Sequence, residues 1–567
     1  MQKVLTAAEM REVDRLTTER YGIPSIILME NAAHAVARVI TEKLGGSVKG
    51  KNILILCGKG NNGGDGAALA RLLGEQGAFV DVILFGKINE TKGDARTNYE
   101  IYCRGRSEFE PDDWSSTEYG DLREINCRKD WDSYFSTSDQ NWNVVVDALF
   151  GTGLTRPIEG WVSEVLHDIN FLNDTQISFF NYDRIRVAVD IPSGLNADSG
   201  DLIGENFWAD ITVTFTAPKL ANILPPASRF SKKLLVADIG SPKELIEGQQ
   251  SNTYVSELED GIFWLHESRF SDDSYKNKRG HCLLIAGSDD YSGAAVLAGN
   301  AAMRSGVGLV TLVTPESSRD SVASRIEPEV MVRGVAETDN GAVAEEAFDE
   351  LTELLGKANA VAVGSGLSQN ESTKRFVEKL IENRRQPVVV DADALNLLSP
   401  FKSGNATVKE RARRVDGTLV DTRVSALILT PHEGEFLRLL GTDDKEVLND
   451  RVAVVREFAQ KHNVILVLKG ERVLIGEPGG KVVVNPTGNS GLGKAGNGDT
   501  LTGILAGFVT QAAALDIDIF ETVVAAVYIA GMAGDIAESK HGKRVMTASD
   551  VRECLADAFE ELNVSNS

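Results

Sequence analysis

The stretch Gly496-Asn497-Gly498-Asp499-Thr500-Leu501-Thr502-Gly503 sets small, backbone-exposing residues and one carboxylate ahead of the apolar run Ile504 to Val509. The run reads as a buried helix, and the motif as its start. Free N–H groups and the positive end of the dipole make a helix start an anion site. Ala495 to Gly498 let a phosphate approach the backbone, and Asp499 stands where a base would take a proton from a hydroxyl acceptor. That is equipment for phosphoryl transfer. The plainer alternative is a glycine-rich turn with Asp499 as an ordinary N-cap. Gly488, Gly493 and Lys494 satisfy G-x-x-x-x-G-K, but Ala495 occupies the position where a P-loop needs Ser or Thr. No strand leads directly into it, since Asn485 to Gly491 is loop chemistry, so a P-loop is not expected.

A second constellation lies upstream. Gly58-Lys59-Gly60-Asn61-Asn62-Gly63-Gly64-Asp65-Gly66 follows an apolar strand and opens a helix, with Asp81 in the next strand. It contains a formal G-x-G-x-x-G, so a hydride-transferring dehydrogenase is one reading. Asp65 argues against it, because a carboxylate at the helix start competes with a pyrophosphate. Further strand ends carry Asp147, in Val146-Asp147-Ala148-Leu149-Phe150-Gly151-Thr152-Gly153, and Asp190 with Ser193, in Val189-Asp190-Ile191-Pro192-Ser193-Gly194. In open α/β sheets ligands bind outside the carboxyl ends of strands. Asn62, Asp147 and Ser193 would there offer oxygen to a hard cation, with little sulfur or imidazole nearby. Each Asp alone reads as a turn residue. Three glycine-flanked motifs at successive strand ends favour function.

The elements that position these motifs follow from the apolar pattern. Strands are expected at Ile53–Cys57, Val80–Phe85, Asn143–Ala148, Arg186–Asp190 and Ile211–Phe215, with helices at Ala67–Gln76 and Trp161–Ile169. Thr6-Ala7-Ala8-Glu9 is a capping box opening a first helix. Tyr99 to Trp142 reads as an insertion. The second half repeats the alternation, with strands at Cys282–Ala286, Leu309–Val313, Ala360–Val363, Val388–Val390, Ala426–Leu429 and Val464–Leu468. Its helices are expected at Gly293–Arg304, Ser372–Glu382 and Asp450–Lys461. Continuous apolar strands alternating with helices predict mostly parallel sheets covered on both faces. At 567 residues two α/β domains are expected, 1–245 and 246–567, the join lying between Gly240 and Thr253.

Composition narrows the function classes. The chain is 42% hydrophobic and 25% charged, a globular balance, and its net charge of −24 disfavours nucleic acid and anionic membrane as partners. No run reads as a membrane span and the first residues lack a signal-peptide core, so a cytoplasmic protein is expected. Cys57, Cys103, Cys127, Cys282 and Cys554 form no C-x-x-C pair and read as buried reduced thiols.

The motifs Asn-Asn-Gly-Gly-Asp-Gly, Val-Asp-Ala-Leu-Phe-Gly-Thr-Gly and Asp-Ile-Pro-Ser-Gly, with Leu28-Met29-Glu30-Asn31 upstream, resemble the NAD(P)HX epimerase (YjeF N-terminal) family. The second half resembles the ADP/ATP-dependent NAD(P)HX dehydratase family, a branch of the ribokinase-like fold. The resemblance spans the chain except Tyr99 to Trp142 and Phe171 to Asp183. It implies a Rossmann-like three-layer α/β/α domain followed by a ribokinase-like α/β domain. It implies that Asn61, Asn62, Gly63, Gly64 and Asp65 line the hydrated dinucleotide NADHX or NADPHX. Gly151, Thr152, Gly153, Leu154, Thr155, Arg156 and Pro157 would line it too, with Asp190 in contact. Asn62, Asp147 and Ser193 would hold potassium, and Asp147 or Asp190 would support epimerisation at C6 of the ring.

In the second half, Gly287-Ser288 and Gly293-Ala294-Ala295 open the domain in the manner of the dehydratase family. Ala294, Gly366, His432 and Asp499 would contact the hydrate, with Asp391 and Asp393 ending a strand near the pocket. Lys469, Gly470, Glu471, Arg472, Val473 and Gly498 would take ADP, with magnesium bridging its phosphates. Lys469 to Val473 also reads as a β-turn between two strands, which is compatible. ADP would phosphorylate the C6 hydroxyl, turning a poor leaving group into a good one. A homo-oligomer is expected. The competing reading is a ribokinase-type kinase of a vitamin precursor or sugar, carrying a YjeF-like regulatory or RNA-binding domain.

Overall fold

The computed structural model describes residues 1–104, 121–138, 140–171, 184–402 and 426–565. The chain divides into two compact units, Gln2–Ser251 and Asn252–Ser567, the latter joined by Met1.

The first unit contains strands β1 (Asn52–Cys57), β2 (Phe79–Phe85), β3 (Leu122–Ile125), β4 (Val144–Ala148), β5 (Ile185–Val189), β6 (Ala209–Phe215) and β7 (Ser231–Ala237). Their order is β3-β2-β1-β4-β5-β6-β7, and every neighbouring pair is parallel. Helices α1 (Ala7–Tyr21), α2 (Ser25–Lys43), α3 (Asn61–Glu75), α4 (Gly93–Arg104), α5 (Arg128–Thr137) and α6 (Trp161–Asn170) complete it. Successive strand residues face opposite sides. Ile53, Ile55 and Cys57 enter an apolar cluster with residues of α2, α3 and α4, whereas Leu54 and Leu56 enter another with residues of α5 and α6. Both faces are therefore covered, as continuous apolar strands require. The order reverses between β1 and β4, so a crevice opens at their carboxyl ends. At α1, the Thr6 hydroxyl accepts from the Glu9 amide and Glu9 accepts from the Thr6 amide, the expected capping box.

The insertion expected at Tyr99 to Trp142 is corrected in part. Tyr99 and Trp131 are fully buried, and Trp131, Tyr134 and Trp142 pack as an aromatic group on the sheet, so these residues belong to the core. Residues 105–120 and 139, and 172–183 of the second departure, lie outside the described residues. The thiols are also corrected: Cys57, Cys282 and Cys554 are buried, but Cys103 is half-buried and Cys127 exposed.

The second unit contains β8 (Thr253–Val255), β9 (His281–Ile285), β10 (Leu309–Pro315), β11 (Met331–Val335), β12 (Ala360–Val363), β13 (Val388–Val390), β14 (Leu427–Leu429), β15 (Ile465–Leu468), β16 (Val473–Gly476) and β17 (Val482–Asn485). They run in the order β8-β17-β16-β15-β14-β13-β12-β9-β10-β11. Pairing is parallel from β15 through β11, and β16 is antiparallel to both its neighbours. Of the strands not expected from sequence, β11 is a half-exposed edge strand, whereas β8, β16 and β17 are apolar runs of only three or four residues, too short for periodicity to mark. Helices α7 (Ser292–Arg304), α8 (Glu371–Glu382), α9 (Ala392–Leu397), α10 (Glu433–Leu440), α11 (Arg451–His462), α12 (Asn497–Leu515) and α13 (Ile519–His541) pack with these strands.

Helix α12 carries the expected apolar run: Ile504, Leu505, Ala506, Phe508 and Val509 are all fully buried. It lies close against α7. A methyl added at Gly503 would meet the Ala298 carbonyl oxygen at 2.2 Å. The expectation that no segment reaches membrane-spanning length is corrected by α13, 23 residues with a hydropathy of 1.6 in its most apolar window. That window is 67% buried inside the molecule, the setting of a core helix.

Because the α7–α12 approach is backbone to backbone, Gly503→Ala should cost roughly 1–3 kcal/mol by overpacking. Gly356→Ala, where an added methyl within the helix Thr352–Lys357 meets nothing within 4 Å, serves as the clash-free comparison and should be slightly stabilising. Urea unfolding of the full chain, followed at the transition of the second unit, checks this. Equal stability of the two variants would show that the helices can separate freely.

Candidate functional site

In the first unit the loop after β1 and the loop after β4 meet at the reversal of strand order. The Gly58 amide donates to the Ala148 carbonyl at 3.0 Å, which ties the two loops together. Methyls added at Gly58 and Gly63 would lie 2.0 Å from the Leu149 carbonyl oxygen and 1.8 Å from the Gly58 carbonyl oxygen. The glycines of this motif thus serve close packing of α3 on the sheet. Asp81, which a dinucleotide fingerprint would spend on ribose, accepts from the Tyr134 hydroxyl at 3.0 Å and the Trp142 indole at 3.4 Å.

Asp147 ends β4 fully buried. Its Oδ1 accepts from the Ser193 hydroxyl at 2.7 Å and the Leu149 amide at 3.1 Å, and its Oδ2 from the Ser193 amide at 2.7 Å. The Ser193 hydroxyl in turn accepts from the Phe150 amide at 3.0 Å. Burial pushes the Asp147 carboxyl up to about 6, against the pull of these donors. Asn62 lies on the first turn of α3, and its buried amide nitrogen has no partner. A methyl at Gly151 would touch Asp190 Oδ2 at 3.2 Å and Asn62 Oδ1 at 3.4 Å, so these two groups flank one point.

Asp190 follows β5 with φ 65, a strained state for a non-glycine residue and one that concentrates at functional sites. Its Oδ1 accepts from the Lys219 ammonium at 2.7 Å and the Thr214 hydroxyl at 3.0 Å. Lys219 is 1% exposed and also donates to the Thr214 hydroxyl and the Phe215 carbonyl. Burial holds the Asp65 carboxyl well above its ordinary range, with the charges of Asp190 and Asp14 adding to the effect. Asp14 is itself pushed up to about 6 by burial, with Lys219 pulling down and Asp190 pushing up. The raised pKa of Asp65 lessens the clash with a pyrophosphate inferred from sequence. Lys219 and Asp14 were missed because one lies in an ordinary Thr-Ala-Pro-Lys turn and the other on an amphipathic helix. Of the loop after β4, Thr155, Arg156 and Pro157 are exposed and Gly151 faces Asn62.

In the second unit the carboxyl ends of β9, β12, β13, β14 and β15 form one row facing the start of α12. Asp499 lies in the first turn of α12, behind Gly496, whose φ of 90 makes the left-handed entry. A methyl at Gly498 would sit 3.7 Å from the Lys469 ammonium and 3.8 Å from Asp391 Oδ2. Lys469 donates to Asp391 Oδ1 at 2.6 Å. Burial lifts the Asp499 carboxyl above its ordinary value, the Ser365 hydroxyl and Lys469 pulling down and Asp391 and Asp393 pushing up. Burial works against the Lys469 charge, but Asp391, Glu435 and Asp499 outweigh it and hold its pKa up. A methyl at Gly366 would meet Ala294 Cβ at 3.0 Å, so those two expected contacts are brought together.

Other expected residues have structural duties. His432 is the N-cap of α10: its Nδ1 accepts from the Gly434 and Glu435 amides at 3.0 and 3.3 Å, leaving only the Nε2 edge outward. Arg472 is spent on the Pro486 carbonyl. Lys469 to Val473 forms the turn between antiparallel β15 and β16. Lys494 donates to the Arg544 and Met546 carbonyls, so it is no P-loop lysine. Sequence reasoning gave no role to Thr430, Thr502 and Glu435, ordinary residues that only the fold gathers around Asp391 and Lys469.

Comparison with known proteins agrees with this division. Residues 25–221 match the family model of the YjeF-related protein N-terminus, and residues 282–556 that of NAD(P)H-hydrate dehydratase. The bifunctional NAD(P)H-hydrate repair enzyme of Moorella thermoacetica is 37% identical over 99% of this chain and 97% of its own length. That of Thermofilum pendens is 34% identical over 99% and 97%. Among solved structures, the ADP/ATP-dependent NAD(P)H-hydrate dehydratase of Bacillus subtilis, co-crystallised with ATP and Mg2+, is 28% identical with a TM-score of 0.44, covering 55% of this chain and 98% of that one. With full-length identity above 30% and both halves matched, the chain belongs to the bifunctional NAD(P)H-hydrate repair enzymes.

Proposed function

We propose that the two activities divide between the halves. Residues 1–245 interconvert (R)- and (S)-NAD(P)HX, and residues 246–567 dehydrate the (S) form with ADP, releasing AMP and phosphate. The observation that carries this reading is Asp499, half-enclosed at a helix start directly beside the Lys469–Asp391 pair. A burial-raised carboxyl is a stronger base than an exposed one. It takes the proton of the C6 hydroxyl as that oxygen attacks the terminal phosphorus of ADP, and AMP departs. The Gly498 amide at the helix start and the Lys469 ammonium meet the charge that develops on the transferred group. The ring nitrogen then expels phosphate from C6, and loss of a C5 proton restores the dihydropyridine. Magnesium on the nucleotide phosphates would supply further charge neutralisation there.

For the first half, hydrogen bonding separates the two candidate aspartates. Both Asp147 oxygens are taken up inside the protein, whereas Asp190 keeps Oδ2 toward the Gly151 loop while Lys219 and Thr214 hold Oδ1. We assign proton transfer at the hydrated ring to Asp190, and to Asp147 the task of orienting Ser193 and the loop. Asn62, Asp147 and Ser193 suit potassium by donor type, their side chains all offering hard oxygens. A bound potassium would supply positive charge for an anionic dinucleotide. Among the described residues no cluster of three His, Cys, Asp or Glu offers an alternative metal site.

Incubation with mixed NADHX epimers and ADP should restore the reduced-nicotinamide absorbance in full and release inorganic phosphate. A stable phosphorylated product would indicate a kinase instead. Asp499→Asn should lose on the order of 10²–10⁴-fold in dehydration while epimerisation persists. In the wild type the acid limb of the dehydration rate should lie above the ordinary carboxylate range, since the base must be ionised and burial raises its pKa. A limb at an ordinary carboxylate value would remove Asp499 from the role.

Lys219→Met should destabilise the first half by roughly 3–5 kcal/mol, because it leaves Asp190 without its buried partner. Lys219→Met/Asp190→Asn should recover most of that stability and none of the epimerase activity. Urea melts together with epimer exchange followed by chromatography distinguish the two effects.

Removing potassium should slow epimerisation and leave dehydration of the (S) form untouched. A rubidium soak of crystals should place anomalous density between Asn62, Asp147 and Ser193, and an empty peak there would dismiss the ion.

A further inference from the structure

Asp391 has no part in the chemistry derived above, yet three elements converge on its buried carboxylate. Oδ1 accepts from the Lys469 ammonium at 2.6 Å and the Thr430 hydroxyl at 2.8 Å, and Oδ2 from the Thr502 hydroxyl at 2.8 Å. Those donors stand at the end of β15, at the end of β14 and in the second turn of α12. Its main chain is equally confined. A methyl at Gly364 would strike the Asp391 carbonyl oxygen at 1.8 Å, and the next residue, Ala392, is held at φ 50. Strain of that kind persists only where the surroundings over-determine the backbone.

We propose that Asp391 is the positioning residue of the phosphoryl-transfer site. It holds the Lys469 ammonium under Gly498 and, through Thr502, fixes the helical turn that carries Asp499. The inference rests on the reading of Asp499 as the base. Without a dedicated partner, the Lys469 ammonium would move onto Asp499 or Glu435, the other carboxylates that act on it. Pairing with Asp499 would hold the base in place by the wrong cation and weaken its pull on a hydroxyl proton. Asp391 takes the ammonium instead, leaving Asp499 free and the positive charge beside the helix start.

The charge arrangement gives a readout that a merely structural residue would not move. The groups acting on Asp499 are the Ser365 hydroxyl, Asp391, Lys469 and Asp393. In the full-length chain, Asp391→Asn removes a negative neighbour and releases the full pull of Lys469, so the Asp499 pKa falls. The acid limb of dehydration should move to lower pH while kcat drops on the order of 10²-fold, the usual cost of a misplaced catalytic group. Epimerisation by the same preparation should be unchanged. Lys469→Gln should move the limb to higher pH, and Asp391→Asn/Lys469→Gln should return it toward the wild-type position without restoring kcat. Thr502→Val keeps every charge and cuts one tether, so kcat should fall with the limb in place. This variant decides the matter if Asp391→Asn does not fold. A folded Asp391→Asn with wild-type kcat and limb, or a Thr502→Val with full kcat, overturns the proposal. A wild-type chain that restores no reduced nicotinamide with ADP overturns the phosphoryl-transfer reading instead.

Discussion

Parallel strands deliver their carboxyl ends to a single edge of the sheet, and both sites depend on that constraint. In the first unit, residues that follow β1, β4 and β5 are far apart in sequence but emerge side by side, because β1, β4 and β5 are neighbours. In the second, the ends of β9, β12, β13, β14 and β15 form a row of loops under one helix start. Continuous apolar strands, buried on both faces, make the sheet rigid enough to hold those loops. The chemistry then needs only short side chains, since the backbone has already brought them together.

Each site also solves the same electrostatic problem in the same way. Several carboxylates are buried close together in each, and buried carboxylates repel one another and any anionic ligand. One enclosed lysine is set among them in each case: Lys219 against Asp190, with Asp14 and Asp65 nearby, and Lys469 against Asp391, with Glu435 and Asp499 nearby. Burial also raises the carboxyl pKa at Asp65, which favours its neutral form. At Asp147 and Asp391 the cost of burial is offset by hydrogen bonds to both carboxylate oxygens.

Where motif and structure part, the reason is packing. The glycines from Gly58 to Gly66 look like a nucleotide fingerprint, but several are there because α3 lies against the sheet with no room for a side chain. Asp81 is held by two aromatic side chains, and Lys494 by two carbonyls. His432 also N-caps α10 through Nδ1, which leaves its Nε2 edge exposed. A motif specifies which residues are present, and several physical duties can demand the same residues.

From the sequence alone came the α/β class, the central strands of both sheets, the two-part organisation, the strand-end motifs that hold Asp147 and Asp190, and the helix-start motif that holds Asp499. These were legible because local forces write them: two-sided burial makes strands continuously apolar, and helix starts and tight turns demand glycine and short polar residues. Edge strands such as β3 and β11 were not legible, because their partners rather than their own pattern make them strands, and the buried β17 is a run of only four residues. Which aspartate of the first site is free was also hidden, since it turns on who donates to each oxygen. The same holds for Lys219, Asp14, Asp391, Thr430 and Thr502. They are common residues with no local signature, and only the long-range pairing of strands sets them within hydrogen-bonding reach of one another.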